Sequence, residues 1–161
     1  MLRSLLKLFA CVAITALAAA AGAVASRDAP TFYQSLDLPA WAPPPGVFGP
    51  VWSVLYLLMA IALWRIWTVA PPGRRGEPTA WYLVQLTVNA LWSWAFFAWH
   101  LGGLAMFIIV ALWLLIVATM RAFHKCDRWA TWLLAPYLAW VTFASALNFA
   151  VWRMNPAALS G

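Results

Sequence analysis

The sequence predicts an all-α integral membrane protein, a bundle of five transmembrane helices. Three observations carry that reading. Hydrophobic residues fill 66% of the 161 positions and charged residues only 9%, whereas a soluble domain carries about 25% charged residues, so no soluble surface can be built. The apolar residues fall into five runs of spanning length, predicted as helices over about 5–26, 47–68, 79–99, 103–123 and 129–152, since about 20 helical residues cross the hydrocarbon core. Between the runs lie turns marked by proline, glycine and charge.

The net charge of +6 does not point to nucleic acid, because the basic residues are scattered at segment ends, where they set membrane orientation. Five spans put Arg3, Lys7, Arg65, Arg74, Arg75, Arg121, Lys125 and Arg128 on one side and only Arg27 and Arg153 on the other. The positive-inside rule then predicts a cytoplasmic N-terminus, and, if the membrane is a bacterial inner membrane, a periplasmic C-terminus.

The first run admits two readings. Arg3 and Lys7 before an apolar stretch, with Ala23-Val24-Ala25 after it, outline a signal peptide. Leu8–Ala25 is nevertheless roughly 27 Å long as a helix, a spanning length. Ala18 and Gly22 within it offer small residues at four-residue spacing, which permits close helix approach. A loop over 27–46 follows. Its stretch from Leu38 to Trp52 holds Pro39, Pro43, Pro44, Pro45 and Pro50 beside Trp41 and Trp52. Proline fixes φ, lacks an N–H and disfavours helix in the residue before it, so this stretch is predicted as a stiff, largely extended linker with no regular helix before Pro50.

The second run places Trp52, Tyr56 and Met59 at helical spacing. The third carries Gln85, Asn89 and Trp92 on one face, and amides in hydrocarbon need partners, so that face is predicted to point into the bundle. The fourth run, polar only at Thr119, reads as a lipid-facing or scaffold helix. In the fifth, Pro136 invites a kink, and Trp140, Ala144 and Leu147 share a face with Asn148 adjacent.

Several chemistries are excluded. The spans hold no central Asp, Glu, Lys or His, which ion-coupled carriers use. No paired carboxylates, nucleophile–base set, phosphate loop or metal-ligand cluster is present, and no cofactor is expected. His100 and His124 read as solvated interfacial residues, and Cys11 and Cys126 as free thiols. What remains is an apolar interior with thirteen tryptophans and a few amides, the chemistry of a site for a flat hydrophobic ligand. Trp64, Trp67, Trp81, Trp129 and Trp152 read as interfacial anchors and Trp113 as lipid-facing or core. Trp41, Trp92 and Trp140 are candidate ligand contacts.

Three motifs go further. Pro39-Ala40-Trp41-Ala42-Pro43-Pro44 with Val47-Phe48-Gly49-Pro50-Val51-Trp52 and Leu55-Tyr56, Asn89-Ala90-Leu91-Trp92 with Phe96-Phe97, and Pro136-Tyr137-Leu138-Ala139-Trp140 with Ala144, Leu147-Asn148-Phe149 and Trp152-Arg153 together resemble the translocator protein family, the TspO/MBR or tryptophan-rich sensory proteins. The resemblance runs over nearly the whole chain. It implies one membrane domain over 1–161, a retained first helix, a homodimer in the lipid bilayer, and one pocket per subunit beneath the first loop. It further implies porphyrin ligands such as protoporphyrin IX and haem, with sterols and isoquinoline carboxamides as further ligands. The residues matching the pocket are Trp41, Phe48, Asn89, Trp92, Trp140, Ala144, Leu147 and Asn148.

The sterol-recognition pattern of the fifth helix is represented by Leu147, Phe149 and Arg153, with phenylalanine where the pattern wants tyrosine, so poorer sterol binding is expected. Leu104 stands where mammalian members have tryptophan, which implies one ligand-facing aromatic fewer. The function implied is a membrane receptor or sensor for porphyrins. The alternatives are a porphyrin or sterol transporter, and an enzyme degrading protoporphyrin under light and oxygen, for which Trp41 and Trp140 are the residues to test.

Overall fold

A computed structural model describes residues 2–160. The chain is all-helical, in elements named here in chain order. Helix α1 spans Leu2–Ala25, α2 Ala29–Gln34, α3 Phe48–Val69, α4 Gly76–Ser93, α5 Gly102–His124, α6 Arg128–Leu133 and α7 Ala135–Met154. Among the described residues, four stretches are long and apolar enough to cross a membrane: Leu2–Ala25, Pro45–Val69, Gly102–His124 and Arg128–Met154. The chain is therefore an integral membrane protein. Helix α4, with Gln85, Thr87 and Asn89, is long enough but too polar to qualify on composition.

Three local expectations need correction. Regular helix begins at Phe48, before Pro50, because a proline in the first turn lacks only an N–H that would have no intrahelical acceptor. The stretch from Leu38 to Trp52 is not extended throughout, and the loop ahead of it is partly helical. Pro30 opens the short helix α2, and only the stretch after Ser35 is irregular, with an extended Pro44 leading into a 3-10 turn over Pro45–Val47. Pro136 does more than kink the last span. It sits in the first turn of α7, and the chain breaks between α6 and α7 at Leu134, since the proline ring collides with the carbonyl four residues earlier.

Helix α4 runs on through a π-helical segment, Trp94–Ala98, where the Trp99 N–H donates to Trp94 O at 2.9 Å. His100 then takes a positive φ of 54°, a left-handed turn that reverses the chain into α5. Its ring stacks on Phe32 of α2 at 4.0 Å, so His100 is a packed residue and not merely a solvated one. The C-terminal tail is tied across the same turn by the Gly102 N–H on Leu159 O at 3.0 Å.

The helices form a ring in the order α3, α1, α4, α5, α7. Helix α1 wedges between α3 and α4, aided by Gly22, whose missing side chain leaves room for Ser93 Oγ and the Tyr56 hydroxyl. Helix α5 packs against both α4 and α7 with buried Ala105, Ile109, Leu112 and Ile116, as a scaffold helix should. The ring closes on α3 mainly through α6, while the backbones of α3 and α7 scarcely meet. The gap between α3 and α7 is spanned by side chains, and that gap positions the candidate site.

Basic residues gather at one end of the ring. Lys7 Nζ donates to Trp67 O at 2.8 Å, Lys125 pairs with Glu77 at 3.3 Å, and Arg65 pairs with Asp127. The loop over 27–46 caps the other end. Trp64 and Trp67 are more than interfacial anchors, donating to Ser4 O at 3.2 Å and Thr79 Oγ1 at 3.0 Å. Trp81 and Trp129 are exposed, and Trp113, half-buried, donates to Thr142 Oγ1 at 2.9 Å.

Candidate functional site: an aromatic seam between α3 and α7

The predicted residues form three adjoining groups. The first is a column of rings beneath the loop. Tyr33 meets Phe48 edge-on at 5.3 Å, Phe48 meets Trp140 at 6.0 Å, Trp140 lies 5.4 Å from Phe143, and Phe143 meets Trp41 at 5.8 Å. Such edge-to-face contacts contribute about 0.5–1.5 kcal/mol each beyond their burial. Trp41 is 51% exposed, so it lies on the column and not inside it. The Tyr33 hydroxyl donates to Pro43 O at 3.1 Å, which ties α2 to the proline run, and burial pushes this phenol above its ordinary pKa. Phe143 escaped the sequence reading, because it shares no element-level pattern with the polar residues that drew attention, and Tyr33 reads from sequence only as an amphipathic anchor of the loop.

The second group is a chain of buried polar side chains. The Tyr56 hydroxyl donates to Asn89 Oδ1 at 2.7 Å, Asn89 Nδ2 to the Tyr137 hydroxyl at 3.1 Å, and that hydroxyl to Gln85 Oε1 at 3.0 Å. The chain links α3, α4 and α7, and Trp52 covers it, stacked on Tyr56 at 5.4 Å and edge-on to Tyr137 at 6.2 Å. The inward amide face predicted from Gln85 and Asn89 is present. Asn89, however, already has both its amide oxygen and nitrogen engaged.

The third group joins Trp92 to Asn148, whose Oδ1 accepts the indole N–H at 3.0 Å. Asn148 Nδ2 in turn donates to Gly102 O at 3.4 Å. Ala144 and Leu147 are buried on the same helix. The three residues of the sterol-like pattern do not share a surface, with Leu147 buried and Phe149 exposed. Leu104 is exposed on α5, and the ring against that helix end is Trp152, packed on Gly102 and Gly103. Trp152 is thus a packing residue and not an interfacial anchor.

Two polar atoms in the bundle stay buried with no hydrogen-bond partner among the described residues, Trp140 Nε1 and Gln85 Nε2. Buried donors are nearly always paired, so each is a donor open to an acceptor. Trp140 belongs to the ring column and Gln85 ends the hydrogen-bonded chain.

Comparison with known proteins gives the family. The TspO/MBR family profile matches residues 9–153, which takes in all three groups. The chain is 41% identical over 142 residues to protein CrtK of Rhodobacter capsulatus, covering 88% of each chain. It is 40% identical over 137 residues to the tryptophan-rich sensory protein of Cereibacter sphaeroides, covering 85% of this chain and 84% of that one. To the human translocator protein it is 34% identical over 126 residues, covering 77% and 75%. A profile match over nearly the whole length, with relatives above 30% identity over most of both chains, makes this chain a member of the TspO/MBR family.

Proposed function

We propose that this protein is a membrane receptor that binds a porphyrin, such as protoporphyrin IX or haem, in the seam between α3 and α7 beneath the loop over 27–46. In this reading the chain forms one domain of five spans, α4 and its π-helical continuation being the third. It works as a homodimer in a bacterial inner membrane, with the basic end of the ring in the cytoplasm. Labelling Cys126 only from the cytoplasmic side supports that orientation, and labelling only from the periplasm overturns it.

One observation carries the ligand reading. Trp140 Nε1 is buried without a partner among the described residues, in a wall made of aromatic faces and edges. An unpaired buried donor costs about 1–3 kcal/mol, and a flat ligand bearing carboxylates supplies both the acceptor and the ring surface. Entry requires the Phe48–Trp140 contact to part, exchanging ring–ring for ring–macrocycle contact of the same kind. The exposed Trp41 and the proline-stiffened loop then act as a lid with little ordering entropy left to lose.

The test is a titration in the dark. Protoporphyrin IX should quench tryptophan fluorescence saturably, and Trp140→Phe, which keeps a ring but removes the N–H, should weaken binding about tenfold. Ala144→Trp should weaken it by filling the wall. Unchanged affinity in both variants, with the fold retained, rules out this site. A parallel sterol titration should give weaker binding, because Leu147 and Phe149 face different ways.

A second reading rests on Trp41 and Trp140 both packing on Phe143, which sets two indoles beside one ligand position. If the protein also promotes breakdown of protoporphyrin, illumination with oxygen should give a new absorbing species that is lost in Trp41→Phe or Trp140→Phe. No product above the protein-free control excludes it.

A further inference from the structure

Away from the aromatic seam, an open groove of about 700 Å³ lies between α3 and the corner where α6 meets α7. One wall is Leu58 and Ile61 of α3, and the other is Trp132, Leu133 and Pro136. Arg65 and Trp129 also line it. Leu58 and Arg65 are two helical turns apart, about 10 Å, so the groove has an apolar end and a charged end.

The charged end is built. Arg65 pairs with Asp127 through Nε at 2.6 Å, and the other Asp127 oxygen accepts the Trp129 N–H at 3.0 Å. Asp127 is thereby held at the entry to α6 and in turn holds the guanidinium. The hydrogen bond uses Nε alone. The two Nη groups have no hydrogen-bonded partner among the described residues, and 31% of the Arg65 side chain stays accessible. Arg128 does not line the groove itself but stands beside it, its guanidinium 5.5 Å from the ring centroid of the lining residue Trp129.

A guanidinium anchored by one edge and open at the other suits a phosphate, which it meets with two parallel N–H groups. Trp129 and Trp132 are 58% and 66% exposed, as indoles at a membrane–water interface are. The charges stand at the interfacial end and the aliphatic wall runs toward the bilayer interior, which is the polarity of an amphiphile. A free phosphate would leave the aliphatic wall unused, and a second helix would bury two arginines without acceptors. Basic pockets between spans at the cytoplasmic side suit anionic lipid headgroups.

We infer that this groove binds an anionic phospholipid, with its phosphate on Arg65 and Arg128 and its glycerol and upper acyl chain along Leu58, Ile61 and Pro136. This site is separate from the porphyrin seam and stands whether or not that reading holds.

The test titrates the full-length, delipidated protein in detergent with dioleoylphosphatidylglycerol or dioleoylphosphatidylcholine and counts bound lipid by native mass spectrometry. The wild type should retain phosphatidylglycerol on the order of tenfold more tightly, and millimolar inorganic phosphate should not displace it. Arg65→Lys combined with Arg128→Gln keeps a cation for Asp127 and should abolish the preference. Leu58→Trp, which fills the apolar end and leaves every charge in place, should lower lipid retention if the double variant fails to fold. Equal retention of the two lipids by the wild type overturns the inference. So do a preference that survives in both folded variants, and displacement by phosphate alone.

Discussion

The side-chain amide of Asn155 closes two hydrogen bonds on the backbone of Asp37, accepting its N–H at 2.8 Å and donating to its carbonyl at 2.8 Å, across 118 residues of sequence. Asn155 Nδ2 also reaches Val151 O at 2.8 Å, so the clamp is anchored in the last turn of α7. Through it the end of α7 fixes the start of the irregular stretch that carries Trp41.

Asn155→Ala should therefore free the loop without unfolding the bundle. The lost hydrogen bonds contribute about 1–2 kcal/mol together. Amide exchange should speed up at Asp37 and the residues after it by about tenfold or more, while α5 is unchanged. Uniform acceleration across all helices would show that the clamp stabilises the whole fold and not the loop.

Tyr137→Phe cuts the buried chain at its middle. It strands Asn89 Nδ2 and Gln85 Oε1 at once, and a loss of about 1–3 kcal/mol follows. Thr142→Val, which removes an exposed acceptor from Trp113, should stay within about 0.5 kcal/mol. Thermal unfolding in one detergent compares the two. Equal effects would mean that the buried chain contributes no more than a surface contact.

Gly102 and Gly103 should differ in their tolerance of alanine. A Cβ at Gly102 would collide with Trp152 Cδ1 and stand 2.8 Å from Cγ, with Leu159 Cβ at 3.0 Å. At Gly103 the nearest atom is Trp152 Cζ2 at 3.1 Å, the outer edge of the ring. Gly102→Ala should cost about 1–3 kcal/mol by overpacking, and Gly103→Ala less. The order of their melting temperatures decides the point.

Burial pushes the Asp127 carboxyl up in pKa, but the Arg65 and Trp129 hydrogen bonds outweigh it and hold the group below its ordinary value. A carboxylate lowered on folding contributes stability that is fully present above its unfolded pKa of about 3.9 and is lost as pH falls through the lower folded value. Stability of the wild type should thus decline below about pH 4, and Asp127→Asn should be less stable at neutral pH with a shallower acid decline. Parallel pH profiles for the two would remove Asp127 from the acid transition.

Much of this was legible before any coordinates. Hydropathy and proline placed α1, α3 and α5 to within a few residues, because membrane thickness fixes their length, whereas the third run passes into a π-helical segment after Ser93 and the fifth is split at Leu134. The amide face of α4 was legible because an unpaired amide in hydrocarbon has nowhere else to turn. The chain alone also settles that this is a membrane protein whose basic residues gather at one end.

Tertiary structure decided the partnerships. Asn89 reads in sequence as an inward amide in need of a partner, but which partners it takes, Tyr56 and Tyr137 from two other helices, is visible only in the fold. Trp92 reads as a stacking surface, yet its N–H is held by Asn148. Periodicity assigns a residue to a face of its own helix and is blind to the facing helix, so pairs 33 to 56 residues apart cannot be read from it. The same blindness hid the groove at Arg65. Its walls come from α3 and from a corner that exists only because Pro136 breaks the last span.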